Sequence, residues 1–189
     1  MRQYGYDLAR AEQLLDAACF RPAPDGVRMR PALKTSTDES TRLLAEALAD
    51  QWKRAGVVLE LRPLEFATFY SDVTPGSFPV YTFCWVGASN TDPDIFEYAG
   101  DSQKMPPGGA NRGHYTNSVL NRLLRQPRTE MNMRRRKVIL SEAQKIPAED
   151  EPYIDLWYPD DICVHARRVG NLAISPLGDF DFLDRVTLQ

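Results

Sequence analysis

Residues 43–62 read Leu-Leu-Ala-Glu-Ala-Leu-Ala-Asp-Gln-Trp-Lys-Arg-Ala-Gly-Val-Val-Leu-Glu-Leu-Arg, and this stretch decides the fold class. Leu43, Leu44, Ala47, Leu48 and Trp52 recur three or four apart, the spacing of one helical face, and Ser36 with Glu39 upstream has the capping-box pattern. Gly56 sits where that helix stops. The period then changes to two: Val57, Leu59 and Leu61 alternate with Val58, Glu60 and Arg62, which predicts a strand. A helix feeding a strand this quickly implies an α/β fold, a mixed sheet flanked by helices.

Upstream, Asp7 caps a predicted helix with Leu8, Ala11, Leu14, Leu15 and Ala18 on one face, ended by Phe20 and Pro22. Pro22 to Gly26 suits a turn into a short strand over residues 27–33. Downstream, a short helix is expected over 64–72, then a largely buried strand over 78–86 ending at Trp85. Residues 87–115 hold Pro93, Pro106, Pro107 and five glycines, so they read as a long loop of the kind that is functional or disordered, helical only at 94–98. Helices are expected over 119–124 and 129–145. Ile154, Leu156 and Tyr158 alternate as a strand that Ile162, Val164 and Ala166 continue.

With 23 basic and 26 acidic residues the net charge is −3, which argues against a generic polyanion binder. No apolar run reaches the length of a membrane span. The first residues lack a secretory h-region, leaving either a cytoplasmic protein or a piece whose signal lies upstream. Cys19, Cys84 and Cys163 form no CxxC and read as small buried hydrophobes. His114, His165 and the cysteines match no metal-ligand spacing, and neither a metal nor a cofactor is expected. Asp92 and Asp94 flank Pro93 and read as a turn and helix start. The basic residues Arg122, Arg125, Arg128, Arg134, Arg135, Arg136 and Lys137 alternate with apolar positions near Glu130 and Glu142, without interleaved aromatics. They read as a solvated face and not as a nucleic-acid patch. The strand-to-loop corner at Trp85 combines an indole with polar loop residues, the mixture of a small-molecule pocket.

The order of these features resembles the family 5 extracellular solute-binding proteins of ABC transporters, the peptide and nickel-binding group. Tyr6 to Phe20 is similar to that family's "YDPEKAKALLAEAGF" helix. Seven segments follow its order, among them Leu48 to Gly56, Trp85 with Asp92-Pro-Asp94, Asn111 to Asn117, Arg134 to Gln144 and Glu149 to Leu156. The resemblance implies one lobe of a two-lobed, type II periplasmic-binding-protein-like fold, periplasmic or extracellular. Such a protein holds a peptide or similar solute and passes it to ABC permease subunits, without catalysis. Only the carboxyl-side portion matches, so residues 1–166 are expected to be that lobe and 167–189 a tail returning to the missing amino-side lobe. The chain alone is then expected to bind solute weakly or not at all. Trp85, Ala88, Ser89, Asn90 and Asp92 are the implied pocket residues, with His114 and Tyr115 at the far end of the loop. Peptide-binding members often place an Asp shortly after the strand Trp to pair with the ligand's amine, and here no carboxylate precedes Asp92. Asn121 replaces a usual Asp, at the expected loss of a surface contact only, and Cys19 a usual Gly. The rival readings are a hydrolase-like enzyme using Asp92, Asp94 and His114, and an interaction module that docks through its Arg-rich helices.

Overall fold

The computed structural model describes residues 4–85, 95–158, 160, 162–174 and 180–188. These fall into two units. The first holds the described residues up to Cys84 and from 95 to 152; the second holds Trp85 and those from Tyr153 onward.

The first unit opens with α1 (Leu8–Ala17), which Asp7 caps by accepting the Arg10 N–H at 2.8 Å. Next come β1 (Ala32–Ser36), α2 (Glu39–Lys53), β2 (Glu60–Leu64), α3 (Phe66–Val73) and β3 (Val80–Tyr81). The three strands form one parallel sheet in the order β2-β1-β3, with Leu33 opposite both Leu61 and Val80. Successive side chains of a strand face opposite sides, and the central strand shows what covers each. Leu33, fully buried, packs with Ala45 of α2, Val57 and Leu59, whereas Lys34 pairs with Asp72 of α3 at 2.8 Å. Helices α2 and α3 therefore cover opposite faces. Pro63 is tolerated in β2 because that strand lies at the sheet edge.

Several expectations shift. Helix α2 is capped by Asp38, which accepts the Thr41 N–H at 3.0 Å; Ser36 instead closes β1. The inward stripe of α2 is Ala45, Leu48, Ala49 and Trp52, while Leu43 and Ala47 are exposed. The stripe is set by which face meets the sheet, and small Ala45 allows the close approach. The strand expected over 27–33 forms as β1 further along, preceded by a single bridge from Met29 to Val57. Of residues 78–85 only Val80–Tyr81 pair as strand. All three cysteines are exposed, correcting their reading as core residues. Cys19 is exposed because it follows the last turn of α1, in the left-handed region at φ 67°.

Gly56 is required twice over. Its φ is +78°, and a Cβ there would stand 2.8 Å from the Gly26 carbonyl oxygen, where the Arg28 N–H also bonds the Gly56 carbonyl at 2.7 Å. This contact seats the 22–28 turn against the helix-to-strand switch.

The rest of the first unit is helical: α4 (Ile95–Gly100), α5 (Ser118–Arg125), α6 (Met133–Lys145) and α7 (Pro147–Asp150). Leu120, Leu124 and Ala143 form their core with Phe96, Tyr115, Leu123 and Ile146. Between α4 and α5 the expected loop packs inward, with Asp101, Ala110, Asn111 and Arg112 all buried. Asn111 organises it, donating to the carbonyls of Asp101 (3.2 Å) and Tyr115 (2.7 Å) and accepting the Tyr115 N–H (2.9 Å). Asn121 does more than the expected surface contact. Its amide donates to Ser102 Oγ at 2.7 Å and accepts the Ser102 N–H at 3.2 Å.

In the second unit, β4 (Val169–Gly170) and β5 (Thr187–Leu188) pair antiparallel, and a 3₁₀ turn spans Asp181–Arg185. The strand expected from Ile154 to Ala166 is not formed among the described residues. Ile154, Tyr158, Ile162 and Val164 are exposed, and a strand exists only where a second strand completes its ladder.

Candidate functional site

Because the three strands of the main sheet run parallel, their carboxyl ends share one edge, the side on which open α/β sheets bind ligands. Three connections leave that edge. Ser36 leads into α2, Leu64 into α3, and Tyr81 through residues 82–85 toward 86–94. The first two end at helix N-termini, ordinarily places for an anion. Here the chain's own carboxylates occupy them. Asp38 takes the Thr41 N–H, and Glu65 takes those of Ala67 (2.9 Å) and Thr68 (3.4 Å). The hydrogen bonds from Ser40 and Thr41 also hold the Asp38 carboxyl below the usual carboxylate range.

Where the third connection leaves the sheet, the described residues include an aromatic cluster. Phe69 stacks on Phe83 with centroids 6.0 Å apart, Tyr70 lies 6.4 Å from Phe83, and Phe66 stacks on Tyr70 at 6.1 Å. Phe69 is buried, but Phe66 and Tyr70 are 57% and 42% exposed, so the cluster presents an apolar rim. The Arg112 guanidinium lies over both Tyr70 (5.5 Å) and Phe83 (5.3 Å), and the residue is only 5% exposed. This cation–π contact ties the 101–115 segment to the rings of α3 and Phe83. At the root of the corner the Tyr81 hydroxyl and Thr82 Oγ1 are buried without a hydrogen-bond partner among the described residues. Chemically, the corner presents apolar ring surface at Phe66 and Tyr70, with the buried Arg112 guanidinium behind Tyr70 and Phe83.

Trp85 is half-buried and belongs to the second unit. Ala88, Ser89, Asn90, Asp92 and Asp94 lie outside the described residues. His114 is exposed, with φ 53° and its N–H donated to the Asn111 carbonyl at 3.2 Å. Tyr115 is half-buried, its ring in the helical core and its hydroxyl donated to Asp150, which also accepts from Asn117 Nδ2 at 3.0 Å. Burial, then the bond to Asp150, pushes the Tyr115 phenol up to about 12, so the hydroxyl stays protonated. His114 and Tyr115 are thus set side by side by the Asn111 network.

Sequence reasoning passed over Arg112, Tyr70 and Phe66. The two rings registered only as helix periodicity, and nothing in the spacing shows that Arg112 folds back onto a helix about 40 residues upstream. Among the described residues no group of His, Cys, Asp or Glu could hold a metal ion.

The family model for bacterial extracellular solute-binding proteins, family 5 Middle, matches residues 1–106. Di/tripeptide-binding protein 4 of Pseudomonas aeruginosa is 25% identical over 185 residues, which cover 96% of this chain and 34% of that protein. The periplasmic murein peptide-binding protein MppA of Escherichia coli is 28% identical over 150 residues, 79% of this chain and 26% of that protein. Among solved structures, the oligopeptide-binding protein AppA of Bacillus subtilis, in complex with a nonapeptide, matches with a TM-score of 0.84 at 18% identity. That match covers 100% of this chain and 39% of AppA. Unliganded, open MppA matches at 0.65 and 28% identity over 77% of this chain and 27% of its own. This chain therefore spans about a third of the length of the curated relatives it matches. MppA is a periplasmic binding protein by its name, and the family is one of extracellular solute-binding proteins. By its family match and by the fold it shares with these structures, the chain belongs to the bacterial extracellular solute-binding proteins of family 5.

Proposed function

We propose that this chain is the carboxyl-side part of the substrate-binding component of an ABC importer. It holds a peptide or similar small solute between two lobes, outside the inner membrane, and presents it unchanged to the permease. Residues 1–166 form the lobe and 167–189 the tail that returns to the amino-side lobe. The observation that carries this reading is the match of residues 1–106 to the family of extracellular solute-binding proteins, and the fold that the entire chain shares with AppA agrees with it. The exposed aromatic rim at Phe66 and Tyr70 supports it, because a peptide needs apolar wall for its side chains.

In this reading Trp85 packs against the solute, Ala88, Ser89, Asn90 and Asp92 line the pocket, and His114 and Tyr115 border it. Arg112 supports the corner from behind Tyr70 and Phe83. Half a cleft buries only half of a ligand's surface, so the chain alone binds weakly or not at all. The test is isothermal titration of tri- to pentapeptides into this chain and into a polypeptide carrying both lobes. The two-lobed protein is expected to bind, with Trp85→Ala weakening affinity by about tenfold or more. Failure of the two-lobed protein to bind any peptide, or micromolar binding by the chain alone, refutes the reading.

A further inference from the structure

Residues 118–145 carry eight basic and two acidic residues, while the other 161 residues carry 15 basic and 24 acidic. A chain of net charge −3 thus concentrates a surplus of six positive charges on α5, α6 and their connection. Some of these cations are used internally. Arg128 forms a two-pronged pair with Glu97, drawing the Glu97 carboxyl below its usual range, Lys145 pairs with Glu142 at 2.7 Å, and Arg125 lies 3.9 Å from Asp101. Arg122, Arg134, Arg135 and Lys137 are exposed and make no ion pair among the described residues.

Apolar side chains are interleaved with these cations. Met131 is 91%, Met133 70% and Val138 62% exposed. An open concavity of about 380 Å³ lies among Glu130, Arg134, Arg135, Val138 and Ile139, and another of about 610 Å³ runs along α5 beside Arg122 and Arg125. A merely solvated face would not combine unpaired like charges on consecutive residues with bare methionines.

We propose that the α5–α6 face docks the protein on an anionic lipid surface. Guanidinium groups grip phosphate two-pronged, and flexible apolar chains between them enter the boundary of the acyl region. The remaining, acidic body of the molecule is repelled by the same surface, so the charge asymmetry also orients the docked protein. Nucleic acid fits less well, because residues 116–145 contain no aromatic side chain on which a base could stack. The proposal goes beyond solute binding and shares with it only the placement beside a membrane.

The test is sedimentation of this chain with vesicles of equal parts phosphatidylglycerol and phosphatidylcholine, and with phosphatidylcholine alone. Binding is expected to the anionic vesicles only, and to fall at least about tenfold between roughly 50 and 500 mM salt. The triple variant R134Q/R135Q/K137Q, matched to the parent by circular dichroism, is expected to partition on the order of 100-fold more weakly, about fivefold per cation. Absence of binding to anionic vesicles at low salt, or an unchanged triple variant, overturns the proposal. So does equal affinity for a short single-stranded DNA, which would mark indiscriminate anion attraction. Peptide titration reads the cleft and sedimentation reads this face, so a failure of one is distinguishable from a failure of the other.

Discussion

Replacing Cys19 by glycine is expected to stabilise the first unit by roughly 0.5–1 kcal/mol, because a side chain stands where the backbone turns left-handed. The end of α1 has both bonds of a Schellman closure: Phe20 N–H to the Leu15 carbonyl at 2.8 Å and Cys19 N–H to the Asp16 carbonyl at 3.0 Å. That closure places residue 19 at φ 67°, where any Cβ crowds the following carbonyl at a cost of roughly 1–2 kcal/mol. Glycine removes the crowding but gains freedom in the unfolded chain, which returns about 0.5–1 kcal/mol. Cys19 is exposed, so no packing is lost. The balance amounts to a rise of about 1–4 °C in melting temperature for a chain of this size. Urea unfolding followed by circular dichroism measures it, with Cys19→Ala as control: alanine meets the same crowding and should match the parent. A Cys19→Gly midpoint at or below the parent's, with unchanged slope, would refute the argument that backbone strain at residue 19 dominates.

Gly56→Ala should lower the urea midpoint by the equivalent of roughly 2–3 kcal/mol, since it adds the same backbone penalty to a 2.8 Å clash with the Gly26 carbonyl. A shift within error would show that the 22–28 turn moves aside at no cost. Asn111→Ala strips three hydrogen bonds from a carboxamide that is 0% exposed, and should cost roughly 2–4 kcal/mol and open residues 101–115 to proteolysis. Protease resistance equal to the parent's would count against that role. Tyr115 holds its proton to about pH 12 in the folded chain, against 10.0 for an unperturbed phenol. Its contribution to stability is therefore complete below pH 10 and declines as pH rises from 10 to 12, where only the unfolded chain ionises. Phenolate absorbance across a pH titration, compared with Tyr115→Phe, checks this. A Tyr115 midpoint near 10 would mean that the phenol is neither buried nor bonded to Asp150 in solution.

What could be read from the residues in order is what arises over a few neighbouring positions. Asp7 and the spacing of Leu8, Ala11 and Leu15 announce α1, and Asn117 followed by Leu120 and Leu124 lies in the run that becomes α5. The change of period at Gly56 announces the helix-to-strand passage that makes the sheet parallel. Family membership was legible in the same way, because many short patterns in fixed order carry more information than any one of them.

Other features depend on partners far along the chain, and linear patterns do not carry them. Which stripe of α2 faces inward was set by contact with Leu33, Val57 and Leu59, and the cap fell to Asp38 because β1 had already claimed Ser36. The alternation at Ile154, Leu156 and Tyr158 has the form of a strand, yet pairing, not propensity, makes a strand, and none is found there among the described residues. Arg112 looked like one more residue in a glycine-rich loop. Its burial over Tyr70 and Phe83 follows from the loop folding back on α3, a long-range packing event in which ring burial and the cation–π contact offset the cost of taking the guanidinium out of water.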